Sequence, residues 1–320
     1  MPVSYLAPVR SGALAALLLP MSLMAMERPA DADAHPRFLG PLASGGQPLP
    51  KGMLNVEPYL VTTLSTKSFD GDGHRRSNDA PAQLDVLVPI KYGVTDRLTL
   101  GTTLSGQYDR GPRGGRDVVL GDTSLSAQYA LYSGGGAHRA AWAATAQRGL
   151  PTGRHDRLQY ARHAGSGSGA LTTGLSTQGQ AYFLDGMLRA RVDAGWRLPA
   201  SHAGIHGKSV YGTAAGFTGW ARLGSTFNSS VAAEYSVHPQ WTLVAEALYE
   251  RDRGARVRGT LADGTALDRQ DPASWSLSVL PAVEYHFNDQ VGIIGGIQLG
   301  VAGRNTAAII APQVAVNVAF

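Results

Sequence analysis

The 320-residue chain carries 28 Lys and Arg against 24 Asp and Glu, no Cys, and 40 Gly, about one residue in eight where about 7 % is usual. The missing cysteine excludes a disulfide framework and a lipidated cysteine anchor, and a mean hydropathy of −0.10 excludes a helical membrane protein. Charged residues make up 16 %, below the about 25 % of soluble domains. A pI of about 9.4 would suit nucleic acid, but the chain starts like an exported protein and holds no nucleic-acid motif.

Arg10 precedes an apolar run from Gly12 to Ala25, broken by Pro20 and Ser22, and Ala32-Asp33-Ala34 offers a small-x-small cleavage site before His35. This order predicts a secretory signal peptide over residues 1–34, with a cut after Ala25 as the alternative. The run falls short of the about 20 apolar residues of a membrane span. Residues 35–53 are rich in Pro and Gly without periodicity. They read as an irregular periplasmic leader, or as a short insert into a lumen.

From residue 54 onward, segments of period two alternate with turns. Strands are predicted near 54–66, 82–92, 97–108, 119–132, 139–149, 171–183, 187–198, 226–237, 241–250, 275–286, 291–301 and 307–320. Leu188, Ala190, Val192, Ala194, Trp196 and Leu198 take one face of the seventh; Arg189, Arg191, Asp193 and Arg197 take the other. The segment 199–225 is either one long loop or holds extra strand. In the last strand Ala308, Ile310, Pro312, Val314, Val316, Val318 and Phe320 share an apolar face; the opposite face is small or polar except at Ile309. So flat an apolar edge would aggregate in water, whereas a closed barrel in lipid requires it.

The sum is an all-β chain: a transmembrane antiparallel up-and-down β-barrel of about 12 strands over 54–320. Long connections fall on one side and short turns on the other, the external and periplasmic pattern of such barrels, apart from a short last external connection. Tyr92, Tyr129, Tyr235, Trp241 and Tyr285 lie next to the predicted short turns, and Trp196, Tyr249 and Trp275 towards the outer ends, as interfacial girdles would.

Two stretches resemble a particular family. Val88-Pro89-Ile90-Lys91-Tyr92-Gly93-Val94-Thr95-Asp96-Arg97-Leu98-Thr99-Leu100-Gly101 ends a strand in Tyr-Gly, turns through Thr-Asp and returns apolar/polar. Leu120-Gly121-Asp122-Thr123-Ser124-Leu125-Ser126-Ala127-Gln128-Tyr129 opens a strand with Gly-Asp. Both are similar to hairpin signatures of transporter-like outer-membrane proteins labelled as meta-pathway phenol degradation proteins. The carboxyl end, from Pro281 to Asn288 and over the terminal strand, is similar too, and Phe320 resembles the aromatic terminus by which bacterial barrels are recognised for assembly. The resemblance implies a cell outer-membrane location, a channel for small organic solutes and contact with the barrel-assembly machinery. It supplies no catalytic residues.

Candidate lumen-lining residues are Glu57, Asp85, Lys91, Arg97, Arg189, Arg191, Asp193, Arg197, Glu234, Glu246 and Glu284. Such charges must meet water or one another. Either they face each other across a wet, steering bore, or they cross-link into a plug. Tyr59, Tyr132 and Tyr182 are the candidate lumenal aromatics. Arg113, Arg116, Arg154, Arg157, Arg162, Arg251, Arg253, Arg256 and Arg258 fall on predicted external loops, where Arg forks suit the phosphates of lipopolysaccharide. No metal or cofactor is expected, since His74, His155 and His163 lack ligand spacing. A porin-like passive channel is the main expectation. A structural or surface-interaction barrel with a plugged lumen is the alternative. An outer-membrane lipid hydrolase is the third, with His286 as the best inward histidine but no serine and acid at its height.

Overall fold

The structure, a computed structural model, describes residues 36–40, 42–43, 46–78, 82–110, 116–135, 138–158 and 165–320. The predicted signal peptide, Arg113, Arg162 and His163 lie outside the described residues. Twelve antiparallel strands form a closed barrel. We number them β1 (Leu54–Val56 and Tyr59–Phe69), β2 (Gln83–Thr95), β3 (Leu98–Arg110), β4 (Arg116–Leu120 and Thr123–Ser133), β5 (Ala141–Leu150) and β6 (Thr172–Phe183). The second half is β7 (Leu188–Pro199), β8 (Thr226–His238), β9 (Trp241–Asp252), β10 (Ser274–His286), β11 (Val291–Arg304) and β12 (Thr306–Ala319). Each predicted strand has its counterpart. β12 closes the ring on β1, pairing Asn55 with Ala319 and Val314 with Leu60. The Phe320 N–H donates to Leu54 O at 2.8 Å and accepts at its own carbonyl from Leu54 N–H at 3.1 Å, so the terminal residue fastens the seam.

The barrel is inside-out relative to a water-soluble fold. Outward Leu100 is 47 % exposed and Trp196 55 %, while Glu234 and Glu284 are among the fully buried side chains. Lipid in place of water on the outside rationalises this inversion. Aromatic rings gather at both rims. Trp241, Tyr285 and Phe287 stack in sequence near the short turns, with centroids 4.7 and 5.0 Å apart. Trp196, Phe227, Tyr249 and Trp275 do so near the outer ends, at 4.6, 6.3 and 6.2 Å. The β6–β7 turn is tight because Asp185 and Gly186 both adopt positive φ, 53° and 93°. At the opposite end, Asn305 alone (φ 52°) turns β11 into β12.

The segment left open in the sequence, 199–225, holds two short strands, Ala203–His206 and Thr218–Arg222. They join Arg256–Thr260 and Ala266–Gln270 from the next external loop in a separate four-stranded sheet. Ala170, Ala203, Ile205, Phe217, Ala221 and Val257 form its buried core. The 151–171 loop is tied on by Asp156, which accepts from His206 N–H at 2.9 Å, and by His155 Nε2, 2.8 Å from Gly204 O. The Tyr211 hydroxyl donates to Ser168 O.

The two motif signatures acquire physical reasons here. A side chain on Gly93 would run into the Pro50 carbonyl, where the amino-terminal segment returns against β2. One on Gly121 would strike the Ser105 hydroxyl. The Asp122 carboxylate beside it gathers the external loop, accepting from Gly153 N–H at 2.9 Å and from Ser168 N–H and Oγ at 2.7 and 2.6 Å.

Candidate functional site

The described residues among 36–50, namely 36–40, 42–43 and 46–50, lie against the inner wall of the barrel. They form a strap without regular structure. The strap starts at the periplasmic mouth, where Arg37 pairs with Asp289 at 2.7 Å and the Arg37 carbonyl accepts from Thr242 Oγ1 at 2.9 Å. It then runs along the β9–β10 wall. Leu39 and Gly40 N–H donate to the Glu284 carboxylate at 2.9 and 3.2 Å, and Ala43 N–H donates to Glu246 at 3.2 Å. Crossing to the far wall, Gly46 O accepts from Gln128 Nε2 at 2.7 Å, Gln47 donates to Gln178 O at 3.4 Å, and Leu49 N–H donates to Thr99 Oγ1 at 2.7 Å. It leaves at the rim, with Lys51 N–H on Asp96 at 3.1 Å.

Apolar packing holds the strap as well. Leu42 is buried in a cluster with Val244, Leu280, Ala282, Ile294 and Ala315, and Leu39 packs against it. Backbone without periodicity must find hydrogen-bond partners when buried. Here the inward acids of β9 and β10 supply them.

The predicted lumen residues divide by role. Arg189 and Glu234 face each other on β7 and β8 and form a bidentate pair, with Nη2 to Oε1 at 2.8 Å. Arg189 also lies over the Phe38 ring at 4.8 Å, and Phe38 meets Tyr182 edge-on at 5.9 Å. Glu246 and Glu284 hold the strap, and Glu284 is also 3.3 Å from His286 Nε2. Arg191 is buried beside the strap glycines Gly40 and Gly46. Asp85 accepts from Gln83 at 2.8 and 3.0 Å and lines a side cavity of about 190 Å³.

Glu57, Lys91, Asp193 and Arg197 line a cavity of about 640 Å³ on the external side of the strap. A second cavity, about 410 Å³, opens on the periplasmic side. Gly46, Glu57, Tyr59 and Lys91 border both.

Two expectations are corrected. Arg97 lies in the turn between β2 and β3 and is exposed, outside both cavities, because the strand begins one residue later. Tyr132 is 58 % exposed, beyond a register shift between Ala130 and Tyr132. Tyr59 and Tyr182 do face inward, Tyr59 on both cavities and Tyr182 against the strap.

The external cavity has two unlike walls. Tyr59, Val61, Leu87 and Pro89, with Leu42 of the strap, make one side mostly apolar, with Glu57 and Lys91 at the end of the same two inward rows. Ser126, Gln128, Thr145, Gln147, Ser176 and Gln178 of β4–β6 make the other side polar. Gln128, Thr145 and Ser176 are each hydrogen-bonded to Gln178. These neutral amides and hydroxyls were not among the lumen-lining candidates, which were chosen by charge. Their signal was present in the polar positions of alternating strands.

On the external loops, Arg256 and Arg258 both bind Asp268, each with a 2.8 Å contact. Asp70, Asp72 and His74 bring ligand atoms within 4.8 Å of one another. Arg76 already occupies Asp70 at 2.9 Å, and with two backbone N–H groups it holds that carboxyl at about 2.

No protein-family model matches the chain, and no curated protein does. Solved structures do. An outer-membrane channel from Pseudomonas putida F1 superposes with a TM-score of 0.65 at 16 % identity, over 86 % of this chain and 97 % of that one. The NanC porin gives a TM-score of 0.44 at 9 % identity, over 83 % and 98 %. A deletion mutant of TodX, a monoaromatic hydrocarbon channel, gives 0.42 at 10 %, over 85 % and 90 %. The first likeness shows that the chain shares the barrel fold of that channel.

Proposed function

We propose that the chain is a non-enzymatic, porin-like channel of the cell outer membrane that passes small organic solutes, aromatic or amphipathic ones among them. The observation that carries this reading is the cavity of about 640 Å³, which shares Gly46, Glu57, Tyr59 and Lys91 with the periplasmic cavity beside the strap. An apolar wall facing an amide and hydroxyl wall suits a molecule with one face of each kind. The phenol label of the resembling family is compatible with that lining. In this account Phe320 is the assembly signal and the outward belt meets the bilayer.

The strap's apolar packing favours a second reading, a plugged structural barrel. Liposome swelling separates the two. Vesicles holding the refolded protein should swell in small phenols and small polyols faster than protein-free vesicles. Swelling no faster than protein-free vesicles for every solute, from protein that remains folded, would favour the plugged barrel.

A further inference from the structure

The outer rim carries charge on the face turned to lipid. Cross-strand register sets Trp196 of β7, Phe227 of β8, Arg251 of β9, Trp275 of β10 and Arg304 of β11 in one row. Residues directly opposite in a sheet share a face, and Trp196 is outward. Two arginines are therefore interleaved with the outer aromatic girdle. Aromatic girdles sit at headgroup depth, and a guanidinium there costs far less than one at the bilayer midplane.

Just beyond this row lies a cleft of about 770 Å³ whose lining includes Leu198, Pro199, Arg222, Arg253 and Asp271, the last already paired with Arg269 at 3.0 Å. It takes in outward Leu198 and none of the inward Arg197, Thr226 or Asp252, so it opens on the outside of the barrel. Arg222, Arg251, Arg253 and Arg304 are all exposed, and none is ion-paired among the described residues. Arg256 and Arg258, nearby, are both neutralised by Asp268. Four unpaired cations beside an apolar surface invite an anion. Arg forks match phosphate oxygens. A zwitterionic headgroup would bring its own ammonium into the cluster, so a headgroup with two phosphates and no amine fits better.

We propose that the outside of β7–β11 at this rim seats one bis-phosphorylated lipid, its phosphates among these four arginines and its acyl chains along outward Leu277, Val279 and Ile297 below. The site stands independently of the channel reading.

The test is native mass spectrometry of the refolded protein in neutral-detergent micelles doped with bis-phosphorylated lipid A, monophosphoryl lipid A or phosphatidylcholine. The expected order of retention is bis-phosphorylated, then monophosphoryl, then phosphatidylcholine. Arg251→Ala with Arg304→Ala should weaken retention of the bis-phosphorylated lipid by about tenfold or more. Arg256→Ala should leave it unchanged. Equal retention by wild type and the double variant, or equal retention of phosphatidylcholine by the wild type, would overturn the proposal. The wild-type comparison stands even if the double variant fails to fold.

Discussion

Arg189 and Glu234 show how a single pair can decide stability in this lumen. Both side chains are buried and each satisfies the other. Glu234→Gln leaves the guanidinium without its counter-charge, and breaking such a pair costs about 3–5 kcal/mol. Denaturant unfolding in detergent should register that loss, and Arg189→Met with Glu234→Leu should recover most of it. Tyr211, in the external sheet, offers a pH-dependent counterpart. Burial first, and then the Asp122 carboxylate, push its phenol above the ordinary 10.0. A raised pKa in the folded state means that the stabilisation is fully present below pH 10 and is lost as pH rises beyond it. The external sheet should therefore loosen in alkali, as seen by hydrogen exchange, and Tyr211→Phe should remove that sensitivity. An alkaline profile unchanged in Tyr211→Phe would assign the effect elsewhere.

At the scale of elements, Gly93→Ala tests the strap. A methyl there meets the Pro50 carbonyl and forces the strap's return off β2. Trypsin cleavage after Lys51 should then become faster, while the barrel keeps its heat-modifiable mobility. Unchanged cleavage would mean that the strap does not depend on this approach. All twelve barrel strands were legible in the sequence, because lipid outside and water inside impose a strict two-residue period. The strap was not. Its partners Glu284 and Glu246 lie 245 and 203 residues away in the chain, and its backbone has no period to read. Inward Val244, Leu280 and Ile294 were the available clue, since apolar side chains facing a lumen need a cover. The external sheet escaped notice because its strands are four or five residues long and Arg222 pairs with Arg256 across an intervening barrel hairpin. Tyr132 was misplaced by a register shift, which reverses faces without a trace in composition.

For the whole molecule, the proposed channel would have the described strap residues as the constriction between its external and periplasmic cavities. Arg256→Cys should react with an impermeant thiol reagent on intact cells and Asp185→Cys should not; the reverse would invert the topology. The central claim is that solutes pass along the lumen and that residues 36–50 narrow it. The most direct test is single-channel conductance in planar bilayers of the refolded, signal-free protein and of a variant lacking residues 37–48. The account predicts discrete ohmic steps from the full strap and distinctly larger steps, with altered ion selectivity, once it is removed. A folded, heat-modifiable barrel that conducts in neither form, or equally in both, would contradict it.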